Sequence, residues 1–247
     1  MLALASASTF TAACAQQTYP VKSIRLLVGF APGGPSDVGA RTIAQKLNEK
    51  WGQSVIVDFR PGAAGNIATE LAAKSPPDGY TIVFAYSGTH SINPHIYRKM
   101  PFKESDFAPL IWTASVPQVV VVHPSLPVKA PRDIVALAKS KPDQFTYGSS
   151  GNGAINHLAG AFFASITGAP IVHVPYKGNS YAIVDLISGR LQVLVAAGVG
   201  VAQHVKSGKL RGLAISNGKE RSPQVPDVPL FSEVGLPQFD AHAWAGL

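Results

Sequence analysis

The strongest constraint on this chain is a unit that it uses repeatedly: a mostly apolar run, a glycine- and proline-rich turn, then a helical pattern. Residues 24–28 suit a buried strand, and Ala40, Ile43, Ala44, Leu47 and Trp51 recur at the i, i+3, i+4, i+7 spacing of one helix face. Between them stands Phe30-Ala31-Pro32-Gly33-Gly34-Pro35-Ser36-Asp37. The unit returns as an apolar run at 55–59, the turn Arg60-Pro61-Gly62-Ala63-Ala64-Gly65-Asn66 and a helix over 67–74. A third strand over 80–85 ends in Tyr86-Ser87-Gly88-Thr89-His90. Strand, helix, strand, helix, strand with short connections predicts a parallel sheet with right-handed crossovers. Ligands of such sheets sit beyond the carboxyl ends of the strands, where these three turns gather.

A turn that opens a helix is an anion seat, because the first amides lack intrahelical acceptors and lie at the positive end of the dipole. Two readings of the first turn stand side by side. Gly33 and Gly34 either open the backbone to a ligand or simply make a tight connection, and Ser36 either caps the helix or offers a hydroxyl. Asp37 either meets an amine-bearing ligand or complements the dipole. A second turn of the same kind favours ligand binding: a strand over 145–147 runs into Gly148-Ser149-Ser150-Gly151-Asn152-Gly153, followed by a helix carrying Ile155, Leu158, Ala159, Phe162, Phe163 and Ile166.

Between the two seats, prolines at 101, 109, 117, 124, 127 and 131 punctuate the chain around a strand at 118–122, marking a crossing into a second lobe. Pro131 suits the first turn of a helix. The second lobe continues with a strand at 171–174, the loop Pro175-Tyr176-Lys177-Gly178-Asn179, a helix over 181–188 and a strand at 191–195. The small-residue loop Ala196-Ala197-Gly198-Val199-Gly200 and a strand at 210–216 follow. The tail, 223–247, is rich in proline, and no helix or strand is read there to close the fold. The division is therefore a first lobe over 16–105, a second over 106–217 and an incomplete return segment over 218–247.

Composition narrows the partners. The formal charge is +7, from 21 Lys and Arg against 14 Asp and Glu, yet the basic residues are scattered without aromatic interleaving. Small anions fit that balance, and nucleic acid does not. Residues 1–15 carry no charge and end in Ala13-Cys14-Ala15, which reads as a secretory signal peptide lacking its basic start. Cleavage there removes Cys14, the one cysteine, and with it any thiol chemistry; lipid anchoring at Cys14 is the lesser reading.

Motifs for catalysis are missing. There is no Gly-x-Gly-x-x-Gly, no phosphate loop closed by Lys-Ser/Thr and no His-Glu-x-x-His. Around Ser150 the spacing of a nucleophile elbow fails at Asn152. An α/β hydrolase using Ser150, with His157 or His173 and Asp185, is the alternative function. His157, early in the second seat's helix, either contacts a ligand or ties down the preceding loop. His173, inside an apolar strand, reads as packing. Tyr176, at a strand end, offers a hydroxyl or a ring, and Phe30 with Tyr176 would sandwich an aromatic acid.

Several segments resemble the Bug family of periplasmic solute receptors, the substrate-binding components of tripartite tricarboxylate transporters. The resemblance is carried by Phe30-Ala31-Pro32-Gly33-Gly34 with Asp37 and Arg41, Arg60-Pro61-Gly62-Ala63, Ser75-Pro76-Pro77-Asp78-Gly79-Tyr80 and Ser150-Gly151-Asn152-Gly153 with His157. His173-Val174-Pro175-Tyr176-Lys177-Gly178, Pro226-Asp227-Val228-Pro229 and Trp244-Ala245-Gly246-Leu247 extend it to the end. It implies a type II periplasmic binding-protein fold of the α/β class, with two lobes closing on a small carboxylate and no cofactor, metal or catalysis. By family analogy the ligand contacts are Phe30, Ala31, Gly33, Gly34, Ser36, Asp37, Ser87 and Thr89 from the first lobe. The second lobe contributes Ser149, Ser150, Gly151, Asn152, Gly153, His157, Tyr176, Ala196, Ala197 and Gly198. The ligand is expected to be a di- or tricarboxylate, an amino acid or an aromatic acid, and the partners membrane permease subunits or a sensor kinase. The protein is expected to act as a periplasmic monomer. Family members continue past the Trp-x-Gly-Leu segment, so the C-terminal part of the first lobe is expected to be missing here.

Overall fold

A computed structural model describes residues 19–141 and 144–247. The expected signal peptide over 1–15, with Cys14, lies outside the described residues.

The first unit forms as its pattern predicts. Strand β1 (Ile24–Val28) leads through the turn to helix α1 (Pro35–Trp51), whose first position is Pro35. Proline there loses no hydrogen bond, since that amide would have no helical partner. The helix stops at Gly52, which takes the left-handed conformation at φ 64° and donates its N–H to Asn48 O. Strand β2 (Val55–Phe59), helix α2 (Asn66–Ala73) and strand β3 (Thr81–Val83) follow. They build a parallel sheet in the order β2-β1-β3, the geometry that short βα connections require. Ile24, Leu26 and Val28 bury one face of β1 against Ala40 and Ala44 of α1.

The run at 80–85 divides. After β3 the chain turns at Phe84, and strand β4 (Ala85–Tyr86) joins a second, larger sheet. Helix α3 (Asn93–Ile96) leads to strand β5 (Trp112–Val122), helix α4 (Pro131–Ser140) and strand β6 (Thr146–Ser149). Helix α5 (Ile155–Thr167), strand β7 (Val172–Pro175), helix α6 (Asn179–Ile187) and strand β8 (Val193–Ala197) come next. Helix α7 (Gly198–Lys206), strand β9 (Arg211–Ile215) and strand β10 (His242–Gly246) complete the order. The larger sheet is mixed, ordered β4-β10-β5-β8-β6-β7 with β9 also on β5.

Strand β5 joins the two ends of that sheet. Its first half pairs antiparallel with β10, His242 opposite Pro117 and Ala245 opposite Ala114. Its second half, Gln118 to Val122, pairs with β8 and β9. Only this second half carries the valine run that marks a buried strand, and Val119 to Val122 are fully buried.

Two expectations are corrected. The tail does supply a strand: β10 is short and built of Ala, Trp and Gly, but it is hydrogen-bonded on both sides, by β4 and β5. Pairing rather than propensity makes it a strand. The stretch 196–200 is not a loop, because β8 runs on through Ala197 and α7 begins at Gly198 without a connection. Val201 and Ala202, buried on the next turn, hold glycine-rich residues in a helix that their propensity disfavours.

Candidate functional site

Between the two sheets lies a cavity of about 430 Å³. Four helices begin on it. Gly34, Pro35 and Ser36 open α1, Ile155 and Asn156 open α5, Asn179 opens α6, and Ala197 with Val199 marks the start of α7. Each helix start presents amides without intrahelical acceptors at the positive end of its dipole, so all four favour negative charge in one place. Yet among the described residues no Asp, Glu, Lys, Arg or His lines the cavity. The net positive charge of the chain is spent elsewhere, and anion affinity here must come from neutral donors.

The first turn reaches that state through Asp37. Its Oδ2 accepts from Gly33 N–H at 2.8 Å and its other oxygen pairs with Arg41 four residues on. Asp37 is therefore the brace of the turn and lies outside the cavity lining. Gly34 is the residue that precedes the helix, with no side-chain cap, so Ser36 does not cap. Its hydroxyl has no hydrogen-bond partner among the described residues. Phe30 and Ala31 also line the cavity.

In the second seat, Asn156 organises the turn. Its Oδ1 accepts from both the N–H and the hydroxyl of Ser150, at 3.2 and 3.0 Å, and its Nδ2 donates to Asn179 Oδ1 at 2.6 Å. One buried amide thus ties the starts of α5 and α6 to Ser150. Of this turn only Ser150 lines the cavity, together with Ile155 and Asn156 just beyond. Ser149 faces the other way: its hydroxyl meets His173 Nε2 at 2.6 Å. The His173 ring stacks on His157, centroids 4.2 Å apart. His157 Nδ1 accepts from Gly153 N–H at 3.2 Å, so in this structure His157 ties down the loop. Burial, with the neighbouring His157, holds His173 down at about 4, and burial also lowers His157.

The remaining expected contacts sit outside the lining. Gly33, Gly151, Asn152, Gly153, Ala196 and Gly198 adjoin it as backbone of the same turns. Ser87 and Thr89 lie beyond Tyr86, which does line it; the Ser87 hydroxyl is buried without a partner, and Thr89 donates to Tyr86 O at 3.1 Å. Tyr176 lines a separate surface hollow with Lys177 and Tyr181, and its hydroxyl donates to Asp185 Oδ2 at 2.9 Å. Burial and that hydrogen bond push the Tyr176 phenol up to about 12. It therefore makes no sandwich with Phe30, whose ring meets Tyr86 edge-on at 4.8 Å.

No serine hydrolase is assembled. Ser150 donates to an amide oxygen rather than a base, and His173 contacts Ser149 instead. Asp185 is engaged by Tyr176 and Arg190, and neither histidine bonds to it among the described residues. Among the described residues no three His, Cys, Asp or Glu side chains gather as a metal site, and no helix is long and apolar enough to cross a membrane.

The two sides of the cavity touch each other. Ala31 N–H donates to Lys177 O at 3.4 Å, and the Tyr97 hydroxyl to Asn152 O at 2.8 Å. Gly178, at φ 153°, allows the first approach: a Cβ on it would stand 3.2 Å from Ala31 N. A Cβ on Gly200 would stand 2.8 Å from the Pro35 ring.

Sequence reasoning missed the walls. Thr113 to Gln118 of β5, Ala243 to Ala245 of β10, Phe84, Asn156, Asn179 and Gln224 line the cavity without having been singled out. Asn179 had a signal, a Gly-Asn-Ser pattern opening a helix. The β5 and β10 residues had none, since only their long-range pairing brings them here.

The family model "Tripartite tricarboxylate transporter family receptor" matches residues 39–247. Protein BugT of Bordetella pertussis is 36% identical over 229 residues, covering 92% of this chain and 70% of BugT. A Rhodopseudomonas palustris protein solved with adipate, Rpa4515, superposes with a TM-score of 0.88 at 35% identity, over 92% of this chain and 76% of that one. MatC from the same species, solved with malate, gives 0.87 at 28% identity, over 92% and 78%. The chain belongs to the tripartite tricarboxylate transporter receptor family, the Bug proteins, and has their α/β periplasmic binding-protein fold, here with one parallel and one mixed sheet. Its relatives are solute-binding proteins rather than enzymes.

Proposed function

We propose that this member of the tripartite tricarboxylate receptor family is a periplasmic receptor that closes two lobes, about 16–105 and 106–217, on a small organic carboxylate. The return segment, 218–247, adds β10 beside the crossing strand β5. The observation that carries the reading is the meeting of four helix starts on one cavity lined, among the described residues, by no Asp, Glu, Lys, Arg or His. A carboxylate there replaces its water hydrogen bonds with fixed amides, the Ser36 hydroxyl and the Asn179 side-chain NH2, without the cost of desolvating a cation beside it. Seats on both lobes are satisfied together only when the lobes meet, as at Ala31 and Lys177, which couples binding to closure. The ligand-bound form then engages membrane permease subunits or a sensor kinase.

Gly33, Ser87, Thr89, Ser149, Gly151 to Gly153, His157, Tyr176, Ala196 and Gly198, which lie outside the cavity lining here, are proposed as contacts of a more open form. The carboxylates borne by the Rhodopseudomonas relatives, adipate and malate, support the ligand class. Calorimetric titration of the protein with dicarboxylates, tricarboxylates and aromatic acids tests it, with sulfate and phosphate as controls. Saturable binding of an organic acid is expected; binding of none, by a protein that unfolds cooperatively, rejects it. Permease or kinase genes beside its own would separate transport from sensing.

A further inference from the structure

We infer, on the basis of the carboxylate reading above, that the preferred ligand is an acid with one charged end and a sizeable apolar body, and that polyanions such as tricarboxylates are discriminated against. The cavity has two poles. At one are the helix starts with Ser36, Ser150, Asn156 and Asn179. From there the lining follows α1 from Ser36 to Ile43, about 10 Å at the rise of an α-helix. Along that length the wall is Val38, Ile43, Phe84, Val116 and Trp244, with alanines of β10.

The other polar side chains of the lining among the described residues are neutral: Thr42, Thr113, Ser115, Gln224, and Tyr86 and Gln118, which already donate to Ala64 O and Val116 O. The Thr113 hydroxyl is buried without a partner, so the wall already holds one unsatisfied polar atom. A second or third carboxylate at that end would lose its hydration with no cation or helix start facing it, an unfavourable exchange. A methylene or aromatic carbon there leaves water and meets apolar atoms, a favourable one. The net charge of +7 does not change this, since none of the basic side chains lines the cavity.

Titration calorimetry with acetate, butyrate, hexanoate and octanoate, and with tricarballylate and citrate, provides the test. Kd is expected to fall about two- to fourfold per added methylene until the wall is used up, following the transfer free energy of a buried methylene. Hexanoate is expected to bind at least tenfold tighter than either tricarboxylate. Val38→Asp, at a position 56% exposed on the cavity mouth, is expected to flatten the chain-length dependence, with the unliganded unfolding midpoint reporting that the fold persists. Tighter binding of citrate or tricarballylate than of hexanoate, or a Kd independent of chain length, overturns the inference while leaving the carboxylate reading intact. Failure of every acid to bind overturns both.

Discussion

Gly200→Ala separates closure from stability. Gly200 is in the first turn of α7, and its backbone is not in the left-handed region, so alanine is conformationally acceptable there. By helix propensity the change would stabilise α7 by up to about 1 kcal/mol. Across the cavity, however, the new Cβ would lie 2.8 Å from Pro35 Cγ and 3.1 Å from Cδ. Carbon atoms prefer about 3.5–4.0 Å. The proline ring is fixed at the start of α1 and cannot rotate away, so the two sides must separate by several tenths of an ångström. Overpacking of this kind costs about 1–3 kcal/mol. Because the strain exists only when α1 and α7 meet, it weakens ligand binding by about five- to 150-fold while the unliganded protein unfolds at an unchanged or slightly higher temperature. Calorimetric Kd for an organic acid and thermal unfolding without ligand read the two effects. Unchanged affinity refutes the claim that this contact belongs to the bound form, and loss of unliganded stability refutes the claim that the strain is confined to closure.

Other perturbations address other parts of the site. Tyr97→Phe removes the bond to Asn152 O across the cavity and should weaken binding by about two- to tenfold in calorimetry, from a typical net hydrogen-bond value of about 0.5–1.5 kcal/mol. Asp37→Ala releases Gly33 N–H and Arg41 and should lower the unfolding temperature by about 2–4 °C for a loss of about 1 kcal/mol, with calorimetry reporting weaker binding because the turn loosens. His173 stays neutral in the fold down to about 4, while in the unfolded chain it gains a proton near its ordinary value; the unfolded state therefore binds more protons between these limits. Stability should fall as pH drops through that window, by about 1 kcal/mol for this partly exposed ring, and His173→Gln should flatten the dependence in chemical denaturation.

How far the sequence carries depends on the reach of the contacts. The β1 to α1 unit is legible because every signal is local: an apolar run, Pro35 at a helix start, Gly52 at its end. The second seat is legible for the same reason. Strand β5 is legible only in its valine half; Trp112 to Pro117 lies in the proline-punctuated crossing outside the strand read at 118–122, and becomes strand because β10 arrives from more than a hundred residues away. Helix α7 hides behind Gly198 and Gly200, residues that single-segment propensity assigns to a loop. In the site, glycine turns announce the helix starts, but the apolar wall of Phe84, Val116 and Trp244 exists only through that strand pairing. Histidines and Tyr176 attract notice as polar residues near turns. Their actual partners, Ser149, Gly153 and Asp185, are set by side-chain direction, which spacing alone does not reveal.

The central claim is that charge on the ligand is held by neutral helix starts. Its most direct test is paired calorimetric titration with hexanoate and methyl hexanoate, which share an apolar body and differ in the anionic group. Saturable binding of the acid, with the ester at least a hundredfold weaker, is predicted. Equal affinity for acid and ester would contradict the claim.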